Sequence, residues 1–281
     1  MKAATTYQEF ADALSAAYPG LSPQQRVIAQ FVIEHPDDFA LGTAATVAEA
    51  AGVQPSALVR FANAMRFAGF TDLQRLFRDR LRQQAGTYRE RIGAMKTPAA
   101  GREHAPALLS SFVELGVAEL HRLEQRTTDA ALRQAAQRVC AAHRVHLLAQ
   151  RRAFPVAAYL AYALGQLDLP VQLHDGLGGM LGESLRLIGT DELLLVTSFK
   201  PYSPEVVDAA LKARERGVQV IAITDAPLSP LKPAAHVCLE IGTGPSSPVR
   251  SLVAPMCLAQ TLVVCAGQCL VKPKARRRRS R

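Results

Sequence analysis

Two short stretches of the chain gather groups that can hold an anion. One is Gln150-Arg151-Arg152-Ala153-Phe154, and the other is Ser198-Phe199-Lys200-Pro201-Tyr202-Ser203. They follow the apolar runs 145–149 and 193–197, which read as buried strands. Guanidinium forks, an ammonium and hydroxyl donors all bond phosphate or carboxylate oxygens. Arg151, Arg152, Ser198, Lys200, Tyr202 and Ser203 are therefore the candidate binding set. Ser203 is also placed to cap a helix that opens at Pro204. A solvated loop and simple capping are the alternatives. A third stretch, Asp225-Ala226-Pro227-Leu228-Ser229, follows the apolar run 218–224.

A second chemistry is written into residues 43–70, TAATVAEAAGVQPSALVRFANAMRFAGF. Ala48 is small enough to sit where two helices touch, Gly52 can take a left-handed turn conformation, and Leu58 would plug the second helix onto the first. Val53 fills the turn from beneath. Thr43 can cap the first helix, and Pro55 suits the first turn of the second. This is helix-turn-helix spacing, whose usual work is to lay the second helix in the major groove. An ordinary helical hairpin would permit the same small residues. Just beyond, Arg60, Arg66, Arg75, Arg78, Arg80, Arg82, Arg89 and Arg91 outnumber Asp72, Asp79 and Glu90, an excess suited to phosphates.

Other reactive residues carry less. His143 and His146 are spaced HxxH with no third ligand, so no metal is expected. The five cysteines form no CxxC pair, and Cys265 and Cys269 read as two buried thiols on one helix face. No cofactor is expected.

The elements that must position these groups fall into two kinds. Residues 1–84 read as an all-α bundle of roughly five helices: 7–17, one capped by Ser22 and ending before Pro36, a short one near Asp37, the helix-turn-helix pair, and one capped by Thr71 or Asp72. Residues 85–106 read as a linker. Helices 107–125 and 128–142 follow. Strands at 145–149, 171–173, 193–197, 218–224 and 237–241 then alternate with helices at 155–167, 177–188, 204–216 and 251–271. Strands apolar throughout and alternating with helices imply a parallel sheet covered on both faces, with ligands beyond the strands' carboxyl ends. The expected fold is thus α/β: a helical bundle, then a doubly wound parallel sheet over 107–271.

The net charge is +9, and the tail 272–281 alone holds seven Lys and Arg residues, so the basicity is largely a solvated-tail property. The N-terminus lacks a basic-then-apolar leader pattern, and no uninterrupted apolar run reaches about 18 residues. With scattered cysteines this places the expected chain in a reducing cytoplasm, away from membranes.

The segments LSPQQRVIAQFVIEHPDDFA, AEAAGVQPSALVRFANAMRFAGF, TDLQRLFRDRL and DELLLVTSFKPYSPEVVDAALKARERGVQVIAITDAPLSPL together resemble the bacterial RpiR-type transcriptional regulators. Those join an N-terminal helix-turn-helix domain to a C-terminal sugar isomerase (SIS) domain. The resemblance implies a regulator of carbohydrate metabolism that acts as a homodimer or homotetramer. Its grip on double-stranded operator DNA would answer to a sugar phosphate or sugar acid. It maps the DNA-reading helix onto 55–64 and implies contacts from Gln54, Pro55, Ser56, Ala57, Arg60, Asn63 and Arg66, with Val59 and Phe61 in the core or a domain contact. SIS domains usually have a glycine-rich turn ending in Ser after the first strand, and a Ser-x-Ser-Gly-x-Thr loop after the third. Here the first is Ala149-Gln150-Arg151-Arg152-Ala153, and in the second Lys200 and Pro201 replace Ser and Gly. The loops have exchanged flexible backbone for side-chain cations. SIS domains also occur in aldose–ketose isomerases, for which Glu183, Asp175 and His174 would be the candidate bases. The helix-turn-helix domain favours a regulator that is not an enzyme.

Overall fold

The computed structural model describes residues 4–84, 88–93, 104–226, 228–242 and 249–271. The basic tail, most of the expected linker and Pro227 lie outside the described residues. The chain forms two compact units that divide after Ser111.

The first unit is helical. Its elements are α1 (Tyr7–Ala17), α2 (Pro23–Glu34), α3 (Pro36–Leu41), α4 (Ala44–Ala50), α5 (Pro55–Ala64), α6 (Phe70–Gln84) and α7 (Tyr88–Gly93). The six helices before residue 85 correspond one for one to those named from the sequence, and α7 lies inside the stretch read as a linker. Ser22 and Gln25 form the anticipated capping box on α2, and Thr43 and Thr46 form one on α4. Neither Thr71 nor Asp72 caps α6, which begins earlier. Asp72 instead lies in its first turn, and its carboxylate accepts from the Ala68 N–H at 3.1 Å.

Aromatic side chains hold this unit together. The Phe39 and Phe77 rings sit 4.5 Å apart, and Phe77 meets Phe10 at 5.4 Å and Tyr7 at 5.1 Å. Phe10, Phe39 and Phe77 are buried. Fully burying each such ring contributes about 1.5–3 kcal/mol. One buried polar residue is satisfied in the same core: Gln74 Nε2 donates to the carbonyls of Phe39 and Gly42, tying α6 to the end of α3.

The second unit is α/β. After α8 (His104–Arg126), in which the two units part, come α9 (Asp129–Ala141), β1 (Val145–Ala149), α10 (Phe154–Gly165), β2 (Val171–His174) and α11 (Leu181–Arg186). Then follow β3 (Leu193–Thr197), α12 (Pro204–Glu215), β4 (Gln219–Thr224), β5 (Val237–Glu240) and α13 (Val253–Val271). The five strands form one parallel sheet in the order β2-β1-β3-β4-β5. On one face Leu147, Leu195, Ile221 and Leu239 pack with α9, α10 and α13. On the other Leu148, Leu194, Val196 and Val220 pack with α11 and α12.

The expected helix 177–188 is broken. Gly178 and Gly179 adopt φ of +67° and +74°, so only a short turn and α11 form there. The helix α13 is long and apolar enough to cross a membrane by length and composition, a feature the sequence reading passed over because Gln260 and Gln268 interrupt the run. In the fold its Leu258, Ala259, Leu262 and Ala266 belong to the sheet's core.

A polar chain runs through the second face. His146 Nε2 lies 3.1 Å from Glu192, His146 Nδ1 lies 2.9 Å from His174 Nε2, and His174 Nδ1 lies 3.0 Å from the Ser184 hydroxyl. A carboxylate only accepts, so Glu192 places the His146 proton on Nε2. Nδ1 of His146 must then accept from His174, whose Nδ1 faces the Ser184 hydroxyl; that hydroxyl also lies 3.0 Å from the Leu181 carbonyl and has one proton for the two. Burial holds both imidazoles below the usual range, His174 down to about 4 with a further push from His146. Glu192 only partly offsets this for His146.

The unfolded chain takes up these protons near pH 6.5 and the folded chain does not until about pH 4 at His174, so stability is lost as pH falls through that window. Denaturant unfolding from pH 7.5 to 4 is expected to show this loss, with a shallower slope in His174→Gln. Equal slopes in the two proteins would rule the pair out as its source.

Candidate functional site

The sheet order sets where a ligand can bind. β1 lies between β2 and β3, and the chain leaves it in opposite directions on its two sides. Crossover helices therefore diverge above the carboxyl ends of β1 and β3, and ligands of such sheets sit in that crevice. The register pairs Ala149 with Thr197, so the loops that follow, 150–153 and 198–203, stand side by side. Both anion-holding stretches of the sequence are thus brought together.

Arg151 opens the first loop with φ of +52°, in the left-handed region that disfavours a branched side chain. Its side chain is exposed, and its charge acts on Glu205. Arg152 is committed to structure. Its guanidinium donates to the Ser251 carbonyl at 3.2 Å and lies 4.9 Å over the Phe199 ring.

The second loop is polar and mostly buried. Ser198 is 3 % exposed, and its hydroxyl oxygen accepts from the Ser203 N–H at 3.2 Å. Ser203 occupies the N-cap of α12, but its side chain makes no capping bond, contrary to expectation. Its hydroxyl reaches Gln150 Oε1 across the crevice and Glu205 Oε2 in its own helix. A single O–H proton serves one of them at a time. The bond from Ser203 is the main cause, with the backbone N–H of Glu205 and the Arg151 charge helping, that holds the Glu205 carboxyl below the usual range. Tyr202 donates its hydroxyl to Asp225 at 2.8 Å, and burial, then the Asp225 charge, push this phenol well above its ordinary value. The Lys200 side chain is half-buried, and its backbone N–H also donates to Asp225.

The two loops therefore stand side by side, joined by the Ser203–Gln150 bond, with Arg151 acting on Glu205 and with Lys200 and Tyr202 bonded to Asp225. Arg152 is turned to Ser251. Gln150, Glu205 and Asp225 join the set without having been singled out. The signal for Asp225 was its place directly after an apolar strand. Nothing in the sequence set Glu205 apart from an ordinary first-turn acid.

The groups considered for other chemistry are engaged elsewhere. His174 and His146 bond each other, Asp175 accepts from the Leu177 N–H, and Glu183 is exposed. Among the described residues no cluster of three metal-type ligands forms. Cys140 lies against Cys269, and burial, then that contact, push its thiol up to about 12.

In the first unit α4 and α5 make the anticipated turn. Gly52 adopts φ of +65°, the Val53 N–H donates to the Ala48 carbonyl at 2.9 Å, and Ala48 and Leu58 are buried at the crossing. Gln54, Pro55, Ser56, Arg60, Asn63 and Arg66 are exposed. Ala57 is not available to DNA, because at 3 % exposure it packs inward with Phe61. Val59, assigned to the core or a domain contact, is instead 41 % exposed. Arg60 also reaches Gln24 at 3.3 Å. Arg66 closes α5 with φ of +67°, a position glycine usually fills. The arginine excess beyond it is partly internal: Arg78 bonds the Ala40 carbonyl, and Arg80 pairs with Asp37 under the Tyr7 ring. The side chain of Arg91 lies outside the described residues.

Comparison with known proteins gives two domain matches in this order. The helix-turn-helix domain of the rpiR family matches residues 8–84, and the SIS domain matches residues 139–265. The HTH-type transcriptional regulator HexR of Pseudomonas aeruginosa is 22% identical over 223 residues, which is 79% of this chain and 74% of HexR. Among solved structures, the Vibrio vulnificus NanR protein complexed with ManNAc-6P has a TM-score of 0.56 at 18% identity and covers 92% of each chain. The sugar isomerase domain of an RpiR transcription factor from Sphaerobacter thermophilus has a TM-score of 0.52 at 24% identity, over 57% of this chain and 89% of that one. The two structural likenesses speak to the fold. The paired domain matches go further: the chain belongs to the RpiR-type transcriptional regulators, with an N-terminal helix-turn-helix domain and a C-terminal SIS domain.

Proposed function

We propose that this regulator reads operator DNA with α5 and is controlled by an anionic sugar-type effector, a sugar phosphate or sugar acid, held in the crevice above β1 and β3. The observation that carries the effector site is Arg151. A long cationic side chain held in a left-handed backbone conformation costs about 1–2 kcal/mol, and such strain persists mainly where a site uses it. Ser198, Lys200, Tyr202 and Ser203 belong to the loop beside that of Arg151, where the Lys200 side chain supplies a second cation. NanR is a relative by fold that holds a phosphorylated sugar, which supports the effector class.

On the DNA side, Gln54, Pro55, Ser56, Arg60, Asn63 and Arg66 form the contact set. Gln and Asn side chains suit adenine edges, and Arg suits guanine or phosphate. The regulator acts in the cytoplasm, where its operator is, as a homodimer or homotetramer matching a repeated half-site. The SIS domain works as a sensor and not as an isomerase. In support, His174 has both ring nitrogens engaged, and Asp175 is bonded within its own turn.

Three variants test this reading. Arg151→Ala should abolish the effector's influence on operator binding, measured by fluorescence anisotropy, while basal DNA affinity is unchanged. An unaltered effector response would remove Arg151 from the site. Arg60→Ala should cost roughly 1–3 kcal/mol on operator DNA and much less on random duplex if Arg60 reads a base. An equal loss on both would make it a phosphate contact. Arg66→Gly should raise the unfolding free energy by up to about 1 kcal/mol, because glycine takes the left-handed position without strain. The same change should weaken DNA binding, so a variant both less stable and equally tight would contradict its placement.

A further inference from the structure

The loop after β3 turns its polar donors inward. The Lys200 N–H donates to Asp225 Oδ2 at 2.9 Å, and the Tyr202 hydroxyl donates to Asp225 Oδ1 at 2.8 Å. The Ser203 N–H is taken by Ser198 Oγ, and Pro201 has no N–H to offer. Asp225 itself is 7 % exposed and follows β4, the strand next to β3. A backbone donor and a side-chain donor thus converge on one buried carboxylate, the arrangement a bound oxyanion would need.

A phosphate entering this loop would find the Lys200 N–H, the Tyr202 hydroxyl and the Ser203 N–H already taken, with a like charge in contact with the first two, and would keep only the half-buried Lys200 ammonium and the Ser198 hydroxyl as donors. Like charges this close, largely screened from water, repel strongly. An uncharged sugar hydroxyl faces no such repulsion. The carboxylate has about four lone-pair positions and uses two, so it can still accept from hydroxyls, as can Gln150 and Glu205 nearby.

We propose that Asp225 is a resident anion that closes the 198–203 loop to phosphate and receives the hydroxyl-bearing end of the effector, leaving the effector's acidic group to Arg151. This rests on the reading of the β1–β3 crevice as the effector site. It makes Asp225 a specificity-determining residue and fixes which way round the effector lies.

The test titrates full-length protein with inorganic phosphate by calorimetry at low salt. Arg151→Ala should show no saturable phosphate binding. Adding Asp225→Asn to it, or Asp225→Ser, should create phosphate binding tighter by roughly tenfold or more, since a hydrogen bond to a charged group contributes about 1.5–3 kcal/mol. Circular dichroism and melting identify which of the two double variants is folded. A folded double variant that binds phosphate no better than Arg151→Ala would overturn the proposal. So would phosphate binding by Arg151→Ala that Tyr202→Phe abolishes, because the loop would then accept phosphate with Asp225 in place. A mistaken effector reading shows elsewhere: no sugar phosphate or sugar acid would alter operator binding by the wild type, whatever the phosphate titration gives.

Discussion

The sensor unit depends on one topological constraint. Parallel strands cannot be joined by tight turns, so each connection must cross a face of the sheet. The order β2-β1-β3-β4-β5 sends the crossovers beside β1 to opposite faces. The helices α10 and α12 lie on opposite faces, and the loops 150–153 and 198–203 stand side by side at the carboxyl ends of β1 and β3. The last residues of these strands, Thr197 among them, are the point where the apolar sheet ends and loop donors begin, and the Thr197 hydroxyl is buried there without a protein partner. One strand end thus carries a buried hydroxyl without a protein partner beside loops whose polar groups are largely bonded to one another.

Two arginines occupy backbone conformations that glycine takes more easily, Arg151 at the crevice and Arg66 at the end of the recognition helix. Gly52 and Gly217, by contrast, meet the same requirement with the expected residue. Each arginine turn is followed by a buried apolar residue, Ala153 two residues after Arg151 and Phe67 directly after Arg66.

Much of this was legible in the residues. The strands 145–149 and 193–197 agree with the structure to the residue, because short, mainly apolar runs between polar boundaries leave little freedom. Thr43, Ser22 and Gly52 act as their types suggest, since caps and left-handed turns are local effects. What was not legible is relational. Helical periodicity puts Ala57 beside Ser56 on a surface helix, and only the packing of α5 turns it inward. Arg152 looks like the twin of Arg151 until Ser251, some hundred residues on, supplies the carbonyl it bonds. The break at Gly178 and Gly179 was signalled by the glycines themselves, but apolar spacing in 177–188 outweighed them. The sequence places Asp225 at the end of an apolar strand but gives it no role, because its partners, Lys200 and Tyr202, come from another loop.

The chain from His174 through His146 to Glu192 runs in one sense only, set by the carboxylate at its end. Each member is both the partner of one neighbour and the reason for the protonation of the next. Removing one leaves a buried nitrogen or carboxylate oxygen without a partner, which costs more than exchanging two together for apolar residues of the same shape. His174, His146 and Glu192 therefore act as one unit, in which a change at one position alters what the other two must satisfy.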